Sequence, residues 1–90
     1  MTREAIFILY YPLILQRQIN MKTSIKLREE YIKLGQAVKA AGFVDSGVEA
    51  KIVIQDGLVK VNGEVDTRRG RKLVAGDKVE FEGNIIDIEE

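Results

Sequence analysis

The sequence contains no cysteine and no histidine. The first absence excludes disulfides and thiolate metal sites, and the second removes the commonest general base and the commonest zinc ligand. There is no P-loop, dinucleotide fingerprint or nucleophile elbow. Adjacent carboxylates do occur, Glu29-Glu30 and Glu89-Glu90, but neighbours on a helix or strand point different ways, so they read as solvated charge. No catalysis, no metal and no cofactor are expected. A long apolar run is also missing. The longest, Ala5–Leu15, has eleven residues broken by Pro12, too short to span a bilayer, and no membrane association is expected.

Charge of one sign is absent too, in the sense that 14 basic and 14 acidic side chains cancel. The zero conceals a gradient. Residues 1–44 hold seven basic and three acidic side chains, residues 45–76 six and five, and residues 77–90 one and six. An acidic end can coexist with a basic face, and the local field governs binding more than the total does.

What is present suits one small globular domain: 90 residues, 46% of them hydrophobic, enough for one modest core. Residues 1–20 read as an apolar extension, distinct from a domain at 21–90. Two accounts of the extension stand: an upstream, non-native start with Met21 as the alternative start, or a helix or strand that docks on the domain or on a second copy. In the second account self-association runs through residues 5–15, because an exposed run with Phe7, Tyr10 and Tyr11 would be sticky. A secretory signal is disfavoured by Glu4 in the basic region and by Gln16-Arg17-Gln18 in place of a small-residue cleavage site. The expected compartment is the cytoplasm.

The most informative stretch runs from Asp45 to Gly63. Asp45 or Ser46 can cap a helix over about 46–55. Val48 with Ile52 and Ala50 with Ile54 form i, i+4 apolar pairs, while Glu49, Lys51 and Gln55 face out. Gly57 supplies the positive φ that ends a helix. Val59 and Val61 alternate with Lys60 at strand period, and Asn62-Gly63 is a strong hairpin-turn signal. Before this stretch, alternation predicts a strand at 23–27. A helix from about 33 to 41, ended by Gly42, is preferred to one long helix through Leu27, Tyr31, Leu34, Val38 and Ala41, since Gly35 weakens such a helix by about 1 kcal/mol relative to alanine. After it come a basic run, Arg68-Arg69-Gly70-Arg71-Lys72, and a turn at Gly76-Asp77. The last segment predicts a hairpin with a two-residue loop at Gly83-Asn84, pairing Phe81 with Ile86 and Val79 with Ile88.

Ser46, Ala50, Ile52, Ile54, Gly57, then Val59-Lys60-Val61-Asn62-Gly63, and later Gly76-Asp77 before a strand, stand in the order and spacing of a known pattern. The chain resembles the RNA-binding domain first named from small-subunit ribosomal protein S-four, also called the alpha-L motif, over about residues 31–83. Within that family it is similar to the small stand-alone bacterial members of the YbcJ/YaaA type. The resemblance implies an α+β fold with two short packed helices on a small, mostly antiparallel sheet. It also implies non-catalytic binding of structured RNA, ribosomal or transfer, in ribosome assembly or translation. The surface of the two helices and the nearby strand loop would meet the RNA. Lys33-Leu34 stands where the family usually has Arg-Leu, so the charge is kept. Gly47 stands where the family usually has Arg after the Ser, which shifts weight onto the loop arginines.

The residues themselves allow the same chemistry. Four cations in five residues, Arg68, Arg69, Arg71 and Lys72 around a glycine, suit phosphate capture, since guanidinium forks match phosphate oxygens. Lys33, Ser46, Lys51 and Lys60 are each plain surface when taken singly, and Ser46 is first a helix cap. Together with the basic run they form the candidate RNA-binding set. No aromatic is interleaved among them, which favours backbone contact to folded RNA over base stacking on single strands. The alternative function is a protein–protein adaptor that keeps the fold without RNA affinity. A sulfur-carrier β-grasp protein, suggested by Val61-Asn62-Gly63-Glu64-Val65 and Gly76-Asp77-Lys78-Val79-Glu80, is disfavoured because the chain has no C-terminal Gly-Gly.

Overall fold

Alternation of apolar and polar residues builds a sheet with one dry face, and two amphipathic helices cover that face. The computed structural model describes residues 22–90. In chain order the elements are β1 (Lys22–Lys26), β2 (Ile32–Lys33), α1 (Leu34–Ala40), α2 (Gly47–Gln55), β3 (Val59–Val61), β4 (Glu64–Val65), β5 (Lys72–Leu73), β6 (Lys78–Phe81) and β7 (Asn84–Glu89). Five strands form one sheet in the order β1-β7-β6-β3-β4, and β2 pairs with β5 in a second, two-stranded sheet. Every pairing is antiparallel except β1 with β7. The fold is thus α+β, with two short helices on a mostly antiparallel sheet. The expectations for residues 1–20 fall outside the described residues. No helix among the described residues is long and apolar enough to cross a membrane.

Val59, Val61, Val79, Phe81, Ile86 and Ile88 form the dry face of the sheet, and Leu34, Ala37, Val38, Ala50 and Ile54 come from the helices to complete the core. At about 25 cal/mol per Å² of apolar surface, burying each of the larger side chains stabilises the fold by about 1.5–3 kcal/mol relative to exposure. On the opposite face of the sheet, Lys22 and Lys78 both approach Asp87, at 3.4 and 3.9 Å. Lys60 stands across from Glu80.

Both helices stop in the same way. At the end of α1, Gly42 (φ 78°) donates to the carbonyl of Lys39 and Phe43 donates to that of Val38. At the end of α2, Gly57 (φ 77°) donates to Ile54 and Leu58 donates to Val53. Each is a Schellman cap, which requires the left-handed backbone that glycine adopts without a Cβ penalty. Ser46 caps α2, its Oγ accepting from the Glu49 amide at 3.1 Å, and Glu49 Oε2 accepts in turn from the Asp45 amide at 3.3 Å.

Two sequence expectations need correction. In α2 the buried pair is Ala50 and Ile54, whereas Val48 and Ile52 are 69% and 53% exposed. Both pairs have i, i+4 spacing, so periodicity alone could not choose the buried one. In the last hairpin the loop is Glu82-Gly83, not Gly83-Asn84, and Phe81 pairs with Asn84 and Val79 with Ile86. The two registers place the same side chains on the dry face, so alternation cannot separate them. Turn geometry does. A two-residue turn with positive φ at both positions takes glycine second, as at Asn62-Gly63 (52° and 87°), and Glu82-Gly83 repeats this (51° and 80°).

Candidate nucleic-acid interface

The basic run is held in place by the start of α1. The first amides of a helix have no partner within it. Here the Leu34 amide donates to the carbonyl of Arg71 at 2.8 Å and the Gly35 amide to that of Arg69 at 2.9 Å. Gln36 Oε1 accepts from the Lys33 amide at 3.3 Å. The Arg69 side chain lies over Gly35 so closely that a Cβ there would fall 2.6 Å from Arg69 Cγ. Gly35 therefore has a packing role that outweighs its poor helix propensity.

Residues Arg68 to Arg71 form a tight turn, closed by the Arg71 amide donating to the Arg68 carbonyl at 3.1 Å. Both ends of the turn meet Asp66, which is only 6% exposed. Its Oδ1 accepts from the Arg68 amide and Nε at 2.9 and 3.0 Å, and its Oδ2 from Arg68 Nη2 and Arg71 Nη1, both at 2.8 Å. The Arg68 hydrogen bond, opposed by burial and helped by Arg71, holds the Asp66 carboxyl well below the usual carboxylate range. The Arg68 guanidinium is correspondingly shifted upward by Asp66.

Beside this turn lies an open groove of about 360 Å³ lined by Lys33, Gly35, Gln36, Lys39, Gly47, Arg69 and Gly70. Its three cations face no carboxylate and no aromatic ring in the lining. Lys33 ends β2 as the extended N-cap of α1, and Gln36 and Lys39 follow within the helix, neighbours at i, i+3. Gly47, the first residue of α2, also lines the groove, and a Cβ there would meet nothing within 4 Å. Lys51, one helical turn beyond Gly47, is exposed on the adjoining surface.

The residues singled out from the sequence are thus sorted. Lys33 and Arg69 line the groove, and Lys51 is exposed outside its lining. Ser46, next to Gly47, is engaged as the α2 cap. Arg68 and Arg71 are drawn onto Asp66, with side chains 70% and 30% exposed. Lys72 Nζ sits over the Tyr31 ring, 4.7 Å from its centroid. Lys60 is on the far face of the sheet, because strand alternation turns it away from Val59 and Val61. Lys39 was missed in the sequence, where no spacing singled it out; it stands one helical turn beyond Gln36 in α1. Asp66 was missed because an acid beside arginines looks like ordinary surface charge until its burial is known.

Comparison with known proteins places the chain in a family. The family described as the S4 domain matches residues 25–89. The chain belongs to the S4 domain family. It is 39% identical over 61 residues to YbcJ of Escherichia coli (strain K12), covering 68% of this chain and 87% of that one. It is 48% identical over 63 residues to the "Probable ribosome maturation protein RlbA" of Bacillus subtilis (strain 168), covering 70% of this chain and 89% of that one. It superposes on the solution structure of YbcJ from E. coli with a TM-score of 0.58 at 37% identity, covering 80% of this chain and 91% of YbcJ. That structure is described as revealing an alpha-L motif involved in RNA binding. Arg69 and Lys33 thus sit in an S4 domain whose matched region spans both helices and the arginine turn.

Proposed function

We propose that the protein binds folded RNA, ribosomal or transfer, without catalysis, in the cytoplasm and in the course of ribosome assembly or maturation. One observation carries the reading: Lys33, Lys39 and Arg69 converge on a groove whose lining holds no carboxylate and no aromatic ring. Cations without opposing acid attract a phosphate backbone, and a lining without rings offers no platform for stacked bases. Recognition by shape and backbone suits a structured RNA. Membership of the S4 family and the names of the two relatives support the same direction.

A second reading, a protein–protein adaptor, has one observation in its favour. Val48 and Ile52 form an exposed apolar stripe on α2 beside Lys51. Crosslinking in cells followed by sequencing of the bound RNA separates the two. The RNA reading predicts enrichment of ribosomal or transfer RNA. Recovery of a protein partner with no RNA above background would support the adaptor.

A further inference from the structure

The arginine run does not behave as four equivalent cations. Arg68 and Arg71, the first and last residues of the turn, are both hydrogen-bonded to Asp66. Arg69 and Gly70, the two residues between them, line the groove. The Arg69 carbonyl is fixed on the Gly35 amide, and its side-chain stem lies over the Gly35 backbone. Both ends of the turn and the Arg69 carbonyl are thus held by groups inside the protein. We propose that Asp66 is the positioning residue of the groove. It takes Arg68 and Arg71 as structural partners and presents Arg69 as the phosphate contact of the run. This inference rests on the RNA-binding reading above.

The consequence has a counter-intuitive sign. By Coulomb's law alone, removing a carboxylate from beside three arginines should tighten binding to a polyanion. If Asp66 instead holds the turn, its removal loosens Arg69 and weakens binding.

The test uses the full chain and a fluorescently labelled RNA stem-loop, titrated at several salt concentrations. Asp66→Asn is expected to weaken binding about tenfold, the worth of one charge-assisted contact. It should also flatten the slope of log affinity against log salt by about 0.7–0.9, one phosphate. Arg69→Gln should give the same two losses with a wild-type melting temperature. The double variant should be no worse than either single one, because both remove the same contact. Arg68→Gln, at a largely exposed side chain, covers the case in which Asp66→Asn fails to fold. It should lower the melting temperature, but because Asp66 still accepts from the Arg68 amide and from Arg71 Nη1, the turn stays closed and the salt slope should remain at the wild-type value. Tighter binding by Asp66→Asn, or a slope loss in Arg68→Gln equal to that in Arg69→Gln, overturns the assignment while the RNA reading stands. No binding by the wild-type chain overturns both.

Discussion

Replacing Gly35 with alanine sets two physical effects against each other. Alanine in place of glycine stabilises a helix by up to about 1 kcal/mol. At this position, though, the new Cβ would lie 2.6 Å from Cγ and 3.3 Å from Cδ of Arg69. These are not the free end of the side chain, so relief requires moving the stem and, through the Gly35 amide bond to the Arg69 carbonyl, the turn. Overpacking of this kind costs about 1–3 kcal/mol. The net expectation is a loss of about 1 kcal/mol, or a fall in Tm of about 4–8 °C for a domain of this size. In an Arg69→Ala background the clashing atoms are gone, and the same substitution should become stabilising. Thermal and urea unfolding of the four chains measures this change of sign, and the coupling should be about 1–3 kcal/mol. An equal rise in Tm from Gly35→Ala in both backgrounds would refute the seating of Arg69 over α1.

Three further outcomes follow from particular side chains. Ile54→Ala should cost about 2–5 kcal/mol, since the side chain is fully buried, whereas Ile52→Ala should change stability by less than about 0.5 kcal/mol; denaturant midpoints of the two variants check this. Gly47→Arg places a cation on the groove wall, where a Cβ meets nothing. It should strengthen binding to an RNA stem-loop by about tenfold and steepen the salt slope by about 0.7–0.9. The Asp66 carboxyl is depressed in the folded state, so its contribution is fully present above the ordinary value of 3.8 and is lost as pH falls below it. The wild-type Tm should accordingly drop faster than that of Asp66→Asn as pH is lowered through this range.

Local chemistry was legible in the sequence. The α2 cap, the glycine stops of both helices and the Asn62-Gly63 turn each depend on a few consecutive residues; the stops and the turn stand where the sequence placed them, and of its two cap candidates, Asp45 and Ser46, the cap is Ser46. Distant pairings were not legible. The parallel match of β1 with β7 joins Lys22 to Ile85, and no local feature of either segment announces it. The choice between Val48/Ile52 and Ala50/Ile54 as the buried pair rests on which stripe of α2 meets the sheet, and both stripes are apolar. The site was half legible for the same reason. The basic run was conspicuous, but its division into Arg69 on the groove and Arg68 with Arg71 on Asp66 depends on a carboxylate being buried. The role of Gly35 reverses once Arg69 is known to lie over it.

The central claim is that Lys33, Lys39 and Arg69 form one phosphate-binding groove. The most direct measurement compares the salt dependence of RNA stem-loop binding for the wild type and for a Lys33→Gln, Lys39→Gln, Arg69→Gln triple variant. With Lys51 adding a fourth contact, the wild-type slope of log affinity against log salt should be about −3 to −4. The triple variant should retain about one contact, with a slope near −0.7 to −0.9 and a Tm close to that of the wild type. A flat wild-type response, or a triple variant that keeps the full slope, would contradict the account.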